Sequence, residues 1–234
     1  MATGTLYLIP TPISEDHAAL PQMNAEIVAR LDCFIVENLR SARRFLAKAA
    51  PGKPIDGLEL AELNEHTRPE ELGGLIKPLL EGRDAGLLSE AGMPAVADPG
   101  AEVVALCHAR GIRVSPLVGP SSIALALCAS GLNGQSFAFN GYLPVKPPER
   151  AQAIRRYERR AQAEGQSQIF IEAPYRNARL FDDLLATCSP ATRLCVAVDL
   201  LAPTQYILTR HVSEWRKAAK PEINKRPAIF IIAT

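Results

Sequence analysis

Short apolar runs alternate with helically spaced runs along the first half of this chain, and few folds accommodate that alternation. Residues 5–10, 32–37, 58–63, 84–89 and 112–117 read as strands, and helical patterns lie between them at 21–30, 38–50, 68–81 and 100–110. Within 68–81 the apolar residues Leu72, Leu75, Ile76, Leu79 and Leu80 recur at helical spacing. Pro78 lacks a backbone donor, which predicts a kink or an early end there. Strand–helix–strand alternation predicts a parallel sheet with helices on both faces. With 47% of its 234 residues apolar, the chain can bury a substantial core.

The second half is less regular. Gly119-Pro120-Ser121-Ser122 opens a helix at 123–130, with Ser121 or Ser122 as its N-cap. A domain boundary is placed near Val118, dividing the chain into 1–118 and 119–234. A strand at 136–140, a helix at 147–164, a strand at 167–172 and a helix at 174–187 follow. Strands at 193–199 and 204–210 have no helix between them; a short helix runs to Lys220, and the last strand is 228–233. Two adjacent strands pair antiparallel, so the second sheet is mixed. The predicted class is α/β in two domains, a parallel sheet in the first and a mixed sheet in the second.

The segment 87–100 carries the densest signal. An apolar run ends in Ser89-Glu90-Ala91-Gly92-Met93-Pro94, and Asp98-Pro99-Gly100 precedes the next helix. Small side chains leave main-chain amides and carbonyls open to a ligand, and prolines stiffen the loop. Ligands of parallel α/β proteins gather at the carboxyl ends of strands. An ordinary strand-to-helix connection is the alternative. The first strand ends in Pro10-Thr11-Pro12-Ile13, where a dinucleotide fold would place Gly-x-Gly-x-x-Gly; that motif and the Gly-Lys-Ser/Thr phosphate loop are absent.

Other strand ends carry charge. Glu37-Asn38-Leu39-Arg40 either lines a cleft or forms a local ion pair or helix cap. Gly141 to Arg150 brings Tyr142 and Lys146 ahead of a basic helix with Arg150, Arg155, Arg156, Arg159 and Arg160 against Glu149 and Glu158. That helix either meets phosphates or presents a solvated face. Glu172-Ala173-Pro174-Tyr175-Arg176 again joins carboxylate, aromatic and guanidinium.

Several classes are excluded. A net charge of +1 neither demands nor forbids a nucleic-acid partner. Cys33, Cys107, Cys128, Cys188 and Cys195 are odd in number and scattered, which reads as buried thiols of a reducing compartment. His17, His66, His108 and His211 lack metal-ligand spacing, and no Gly-x-Ser-x-Gly elbow is present. The amino terminus has no signal-peptide pattern, and no apolar run is long enough for a bilayer. The expectation is a soluble, cytoplasmic protein without a metal.

Taken in order, these segments resemble the tetrapyrrole methylase superfamily, and within it the bacterial small-subunit ribosomal RNA ribose 2'-O-methyltransferases. The carrying residues are Leu8 to Ile13, Ser89 to Pro94 with Asp98-Pro99-Gly100, Gly111 to Ser121, Gly141 to Lys146, and Ile171 to Arg176. The chain departs from that branch at Ser14-Glu15, at Asn38-Leu39, at Tyr175 where the branch has histidine, and at Lys225-Arg226-Pro227.

The resemblance implies a tetrapyrrole-methylase-like fold with S-adenosylmethionine held in a cleft between its two domains and S-adenosylhomocysteine as product. It implies that Ser89, Glu90, Ala91, Gly92, Met93 and Val96 meet the donor mainly through backbone groups. Ser121, Ser122 and Ile123 face them, and Pro10, Tyr175, Val198, Pro227 and Ala228 are further neighbours. Glu37 and Glu172, with Glu90 behind them, are candidate bases for an acceptor hydroxyl. Arg40, Lys146 and Arg176 are candidates to hold acceptor phosphates or carboxylates. The implied partner is ribosomal RNA or the small ribosomal subunit, and the implied assembly is a homodimer. A corrin or porphyrin C-methylase, a methylase with another acceptor, and a non-catalytic binding protein on this fold are the alternatives.

Overall fold

The computed structural model describes residues 3–15, 20–64 and 66–234. Met1, Ala2 and His17 lie outside the described residues. The chain divides into two compact units, Met1–Ser121 and Ser122–Thr234.

Unit 1 runs β1 (Thr5–Ile9), α1 (Gln22–Arg30), β2 (Cys33–Val36), α2 (Leu39–Ala49) and β3 (Glu59–Glu62). A 3-10 turn at Pro69–Glu71 follows, then α3 (Leu72–Leu75), α4 (Lys77–Leu80), β4 (Ala85–Leu88), α5 (Ala101–Ala109) and β5 (Arg113–Pro116). The strands form one sheet in the order β3-β2-β4-β1-β5. Every pairing in it is parallel. Side chains alternate across it, as strand geometry requires. Leu6, Cys33, Ile35, Ala85 and Leu87 pack with α3, α4 and α5 through Leu72, Ile76, Leu79, Val103 and Cys107. Ile9, Phe34, Val36 and Leu88 pack on the other face with Val28 of α1 and Phe45 and Leu46 of α2. Each of the leucine, isoleucine, valine and phenylalanine side chains among them contributes about 2 kcal/mol when fully buried.

The helical segment read over 68–81 is interrupted, as Pro78 predicts. Ile76 separates α3 from α4 at φ −93 and ψ 1. Pro78 has no N–H to give and its ring collides with the carbonyl four residues back, so a continuous helix cannot pass Ile76.

Unit 2 comprises α6 (Ser122–Ser130), β6 (Phe137–Tyr142), α7 (Pro147–Glu164) and β7 (Ser167–Ile171). A 3-10 turn at Pro174–Arg176 leads to α8 (Asn177–Thr187), β8 (Arg193–Val198), β9 (Tyr206–His211), α9 (Val212–Trp215) and β10 (Ala228–Ala233). The sheet order is β6-β7-β10-β8-β9. β6 and β7 are parallel, and the other three pairings are antiparallel. Phe170, Leu194, Val196, Phe230 and Ile232 meet α7, α8 and α9 in one core. α6 packs against β8, β9 and β10. The Thr209 hydroxyl donates to the Ser130 carbonyl at 2.7 Å and ties the end of α6 to β9.

Three expectations need correction here. Gly141 and Tyr142 belong to β6 rather than to the loop after it; the register slips between Phe139 and Tyr142, where Gly141 takes φ +64. Cys128 is exposed, unlike the other four cysteines, because it sits on a side of α6 that the sheet does not cover. Arg150 is no surface cation: it is 1% exposed and bound to Asp183 Oδ2 at 2.8 Å. Glu158 is buried as well, accepting from the Ser189 N–H at 2.6 Å and from the Thr192 hydroxyl.

Candidate functional site

In unit 1 the register places Ile9 and Val36 both opposite Leu88, so β1, β2 and β4 end level. Pro10, Glu37 and Ser89, the residues that follow, are thereby neighbours. The Thr11 N–H donates to the Gly92 carbonyl at 2.9 Å and the Gly92 N–H to the Thr11 carbonyl at 3.0 Å. The Ser89 hydroxyl donates to the same Gly92 carbonyl at 2.9 Å. Gly92 sits at φ +82, and a Cβ there would approach Ile13 Cγ2 to 3.2 Å. A Cβ on Gly119 would fall 2.3 Å from Pro10 Cβ, so the loop after β5 lies directly on the first turn. Ala95 and Ala97 take φ +64 and +63, a conformation that costs an alanine about 1 kcal/mol each. The loop is rigid and small. Glu90, Ala91 and Val96 are exposed, while Ser89 and Gly92 are buried.

Like charges converge on this loop. Burial pushes the Asp98 carboxyl up to about 6, and the nearby Glu37 and Glu90 add to the shift. Burial also raises Glu37, opposed by a main-chain hydrogen bond from Glu90 and reinforced by the Glu90 charge. Glu37 Oε2 is buried and has no hydrogen-bond partner among the described residues. The Ser41 hydroxyl donates to Glu90 Oε1. Of the readings open for 37–40, the cap belongs to Asn38, whose side chain accepts from the N–H groups of Arg40 and Ser41. Arg40 is exposed and forms no ion pair with Glu37. In the sequence Asp98 stands only as part of its motif, its one local signal being a carboxylate between Ala97 and Pro99.

In unit 2 a second set gathers at one end of the sheet. Tyr142 pairs with Ile171, Ile171 with Ile229, and Ala228 with Val198. The start of β10 therefore lies between the carboxyl ends of β7 and β8, bringing Glu172, Tyr175, Arg176, Val198, Pro227 and Ala228 together. Glu172 Oε1 accepts from the Ala173 N–H at 2.8 Å and from Arg176 Nε and Nη2 at 2.9 and 2.6 Å. Glu172 Oε2 is buried without a partner among the described residues. Arg176 lies over the Tyr175 ring at 5.2 Å. Arg226 binds Asp199 Oδ2 at 2.8 Å and reaches the carbonyls of Thr204 and Glu222, both at 2.6 Å.

Tyr142, Val145 and Tyr175 are exposed at this end. Lys146 is exposed too, 3.6 Å from Glu149. Arg150 Nε and Nη2 donate to the carbonyls of Pro144 and Val145, each at 2.8 Å, and so fix the segment ahead of Lys146. Ser121 closes unit 1, and Ser122 and Ile123 open α6; all three are half-buried. Among the described residues no His, Cys, Asp and Glu cluster is arranged to hold a metal ion.

Comparison with known proteins gives this arrangement a family. The pattern of the Tetrapyrrole (Corrin/Porphyrin) Methylases matches residues 5–214. A "Ribosomal RNA small subunit methyltransferase I" of Escherichia coli O157:H7 is 30% identical over 229 residues, 98% of this chain and 77% of the relative. Among solved structures, the methyltransferase CobJ superposes with TM-score 0.63 at 16% identity, covering 100% of this chain and 95% of that one. A uroporphyrin-III C-methyltransferase of Thermus thermophilus, complexed with S-adenosylhomocysteine, superposes with TM-score 0.56 at 17% identity, covering 98% and 97%. These two likenesses carry the fold alone. The chain belongs to the tetrapyrrole methylase family and is a methyltransferase. Within the family it stands with the ribosomal RNA small subunit methyltransferases I, as the sequence resemblance implied.

Proposed function

We propose that this methyltransferase moves a methyl group from S-adenosylmethionine to a ribose 2'-hydroxyl of small-subunit ribosomal RNA. The observation that carries the reading is the likeness to a ribosomal RNA methyltransferase across 98% of the chain. Bound S-adenosylmethionine supplies a methyl on a sulfonium leaving group, so the protein's task is alignment and removal of one proton. The residues present suit such a donor. The loop 89–96 offers main-chain edges and small side chains, and a Cβ at Gly92 would crowd Ile13. This loop holds the donor, and Pro10, Ser121, Ser122, Ile123, Tyr175, Val198, Pro227 and Ala228 are further donor contacts in this reading.

Glu37 takes the hydroxyl proton on its unpartnered Oε2; its raised pKa makes it a stronger base. Glu172 holds Arg176 in place, and Arg176, Arg40 and Lys146 hold acceptor phosphates. The exposed rings of Tyr142 and Tyr175 are platforms on which unpaired bases stack. A sulfonium leaving group needs no Lewis acid, so a chelator leaves turnover unchanged. We further propose that the protein works in the cytoplasm as a homodimer, which light scattering tests; among the described residues no helix is long and apolar enough to cross a membrane.

The decisive experiment incubates the protein with methyl-labelled donor and, separately, small ribosomal subunits, deproteinised ribosomal RNA and a porphyrinogen. The reading expects label in RNA at a linkage resistant to alkali. Label in the porphyrinogen, or in no acceptor, overturns it. Full turnover in both Glu37→Gln and Glu172→Gln overturns the assignments of those two residues.

A further inference from the structure

We propose that the outer face of α2, with the cavity alongside it, docks the sugar-phosphate backbone of the RNA acceptor; this rests on the RNA reading above. α2 carries Arg40, Arg43, Arg44 and Lys48 and no acidic residue. All four cations are exposed, and none forms an ion pair among the described residues. Some cations on other helices are neutralised at close spacing, as in Lys77–Glu81 at 3.8 Å and Arg160–Glu164 at 3.2 Å, but there the unpaired ones share their helix with acidic residues, which α2 lacks. Arg40, Arg44 and Lys48 recur every four residues, about 6 Å apart along one side of the helix. The opposite side, Ala42, Phe45 and Leu46, is buried in unit 1. α2 thus has no free apolar face to enter a bilayer, which disfavours a lipid surface as partner.

Arg44 and Lys48 also border a cavity of about 220 Å³ whose wall includes Thr11, Ser41, Ser89 and Glu90. Thr11 is 4% exposed, yet its hydroxyl has no partner among the described residues. A buried polar atom left unpaired at a cavity wall marks a place where a ligand completes the hydrogen bonding. The Glu90 carboxylate, which already accepts from Ser41, has oxygen left for another hydroxyl donor. Cations on the rim suit a phosphate, and hydroxyl-seeking oxygens within suit a ribose. A strand lacking 2'-hydroxyls would satisfy the cations and leave the wall unpaired, so the site favours RNA over DNA.

The test uses a labelled single-stranded RNA oligonucleotide and its DNA counterpart, titrated by anisotropy over a salt series, with S-adenosylhomocysteine binding followed by calorimetry. Arg44→Ala/Lys48→Ala is expected to weaken RNA binding at least about ten-fold. It should also flatten the slope of log K against log salt by about 1.4, since each phosphate that the protein ceases to neutralise accounts for about 0.7. Thr11→Val is expected to bring the RNA and DNA affinities together without lowering the melting temperature, because its hydroxyl supports nothing in the free protein. Lys77→Ala/Lys220→Ala serves as the charge control. S-adenosylhomocysteine binding persists in every variant. A wild-type salt slope in the double variant, an equal loss in the control, or tighter binding to phosphatidylserine vesicles than to RNA overturns the docking site. Failure of the wild type to bind S-adenosylhomocysteine overturns the methyltransferase chemistry beneath it, a separate outcome.

Discussion

The carboxyl-end loops of the two sheets treat charge in opposite ways. In unit 1, Glu37, Glu90 and Asp98 are set near one another, and among the described residues no cation pairs with Asp98 or Glu37. In unit 2 the comparable carboxylates are locked to guanidinium groups, Glu172 to Arg176 and Asp199 to Arg226. Paired charges hold a scaffold in shape, whereas like charges held close and half-buried store electrostatic free energy that a ligand or proton can relieve. The second unit's loops are thus charge-balanced, whereas those of the first hold a strained set of carboxylates.

Substitutions can break or sharpen that contrast. The largest effect is expected from Glu172→Ala, which strips a fully buried partner from Arg176; denaturant unfolding of unit 2 should lose about 2–3 kcal/mol. Next is Gly119→Ala, whose added Cβ meets the rigid Pro10 ring at 2.3 Å. Overpacking of this kind costs about 2 kcal/mol, visible as a lower melting temperature.

Asp98→Asn should act in the other direction. The folded carboxyl holds its proton up to about pH 6, against an ordinary value of 3.8. Stability therefore falls as pH rises through that window, and the penalty is complete above it. The variant should be more stable than the parent by about 1–2 kcal/mol at pH 8, after allowance for solvent screening. The gain should vanish near pH 4 and reappear on titration upward. The smallest effect is Lys146→Ala, which removes an exposed pair and should change stability by less than about 0.5 kcal/mol while weakening RNA binding.

Much of this architecture was legible along the chain. Strands such as Cys33–Val36 and Ala85–Leu88 announce themselves because both faces are buried and nearly every residue is apolar. Pro78 signalled the helix break at Ile76 by its missing donor. The carboxylate cluster was not legible. Residues 37, 90 and 98 are distant in sequence and meet because β2 and β4 are hydrogen-bonded neighbours, a pairing order that local patterns do not encode. Arg150 misled for a related reason: its neighbours in α7 are exposed cations, but its own helical position faces Asp183 of α8. Charge type reads off a sequence, and the direction in which one turn of helix points does not.

β10, last of the strands in the chain, occupies the middle of its sheet, with β7 on one side and β8 on the other. A nascent chain emerging residue by residue can pair every strand of unit 1 long before this one leaves the ribosome. The second sheet meanwhile waits with a gap at its centre and two unpaired inner edges, open to misassociation until residue 233 arrives. Ribosome stalling shortly before that point would leave a half-built product that protease digestion should recognise at once.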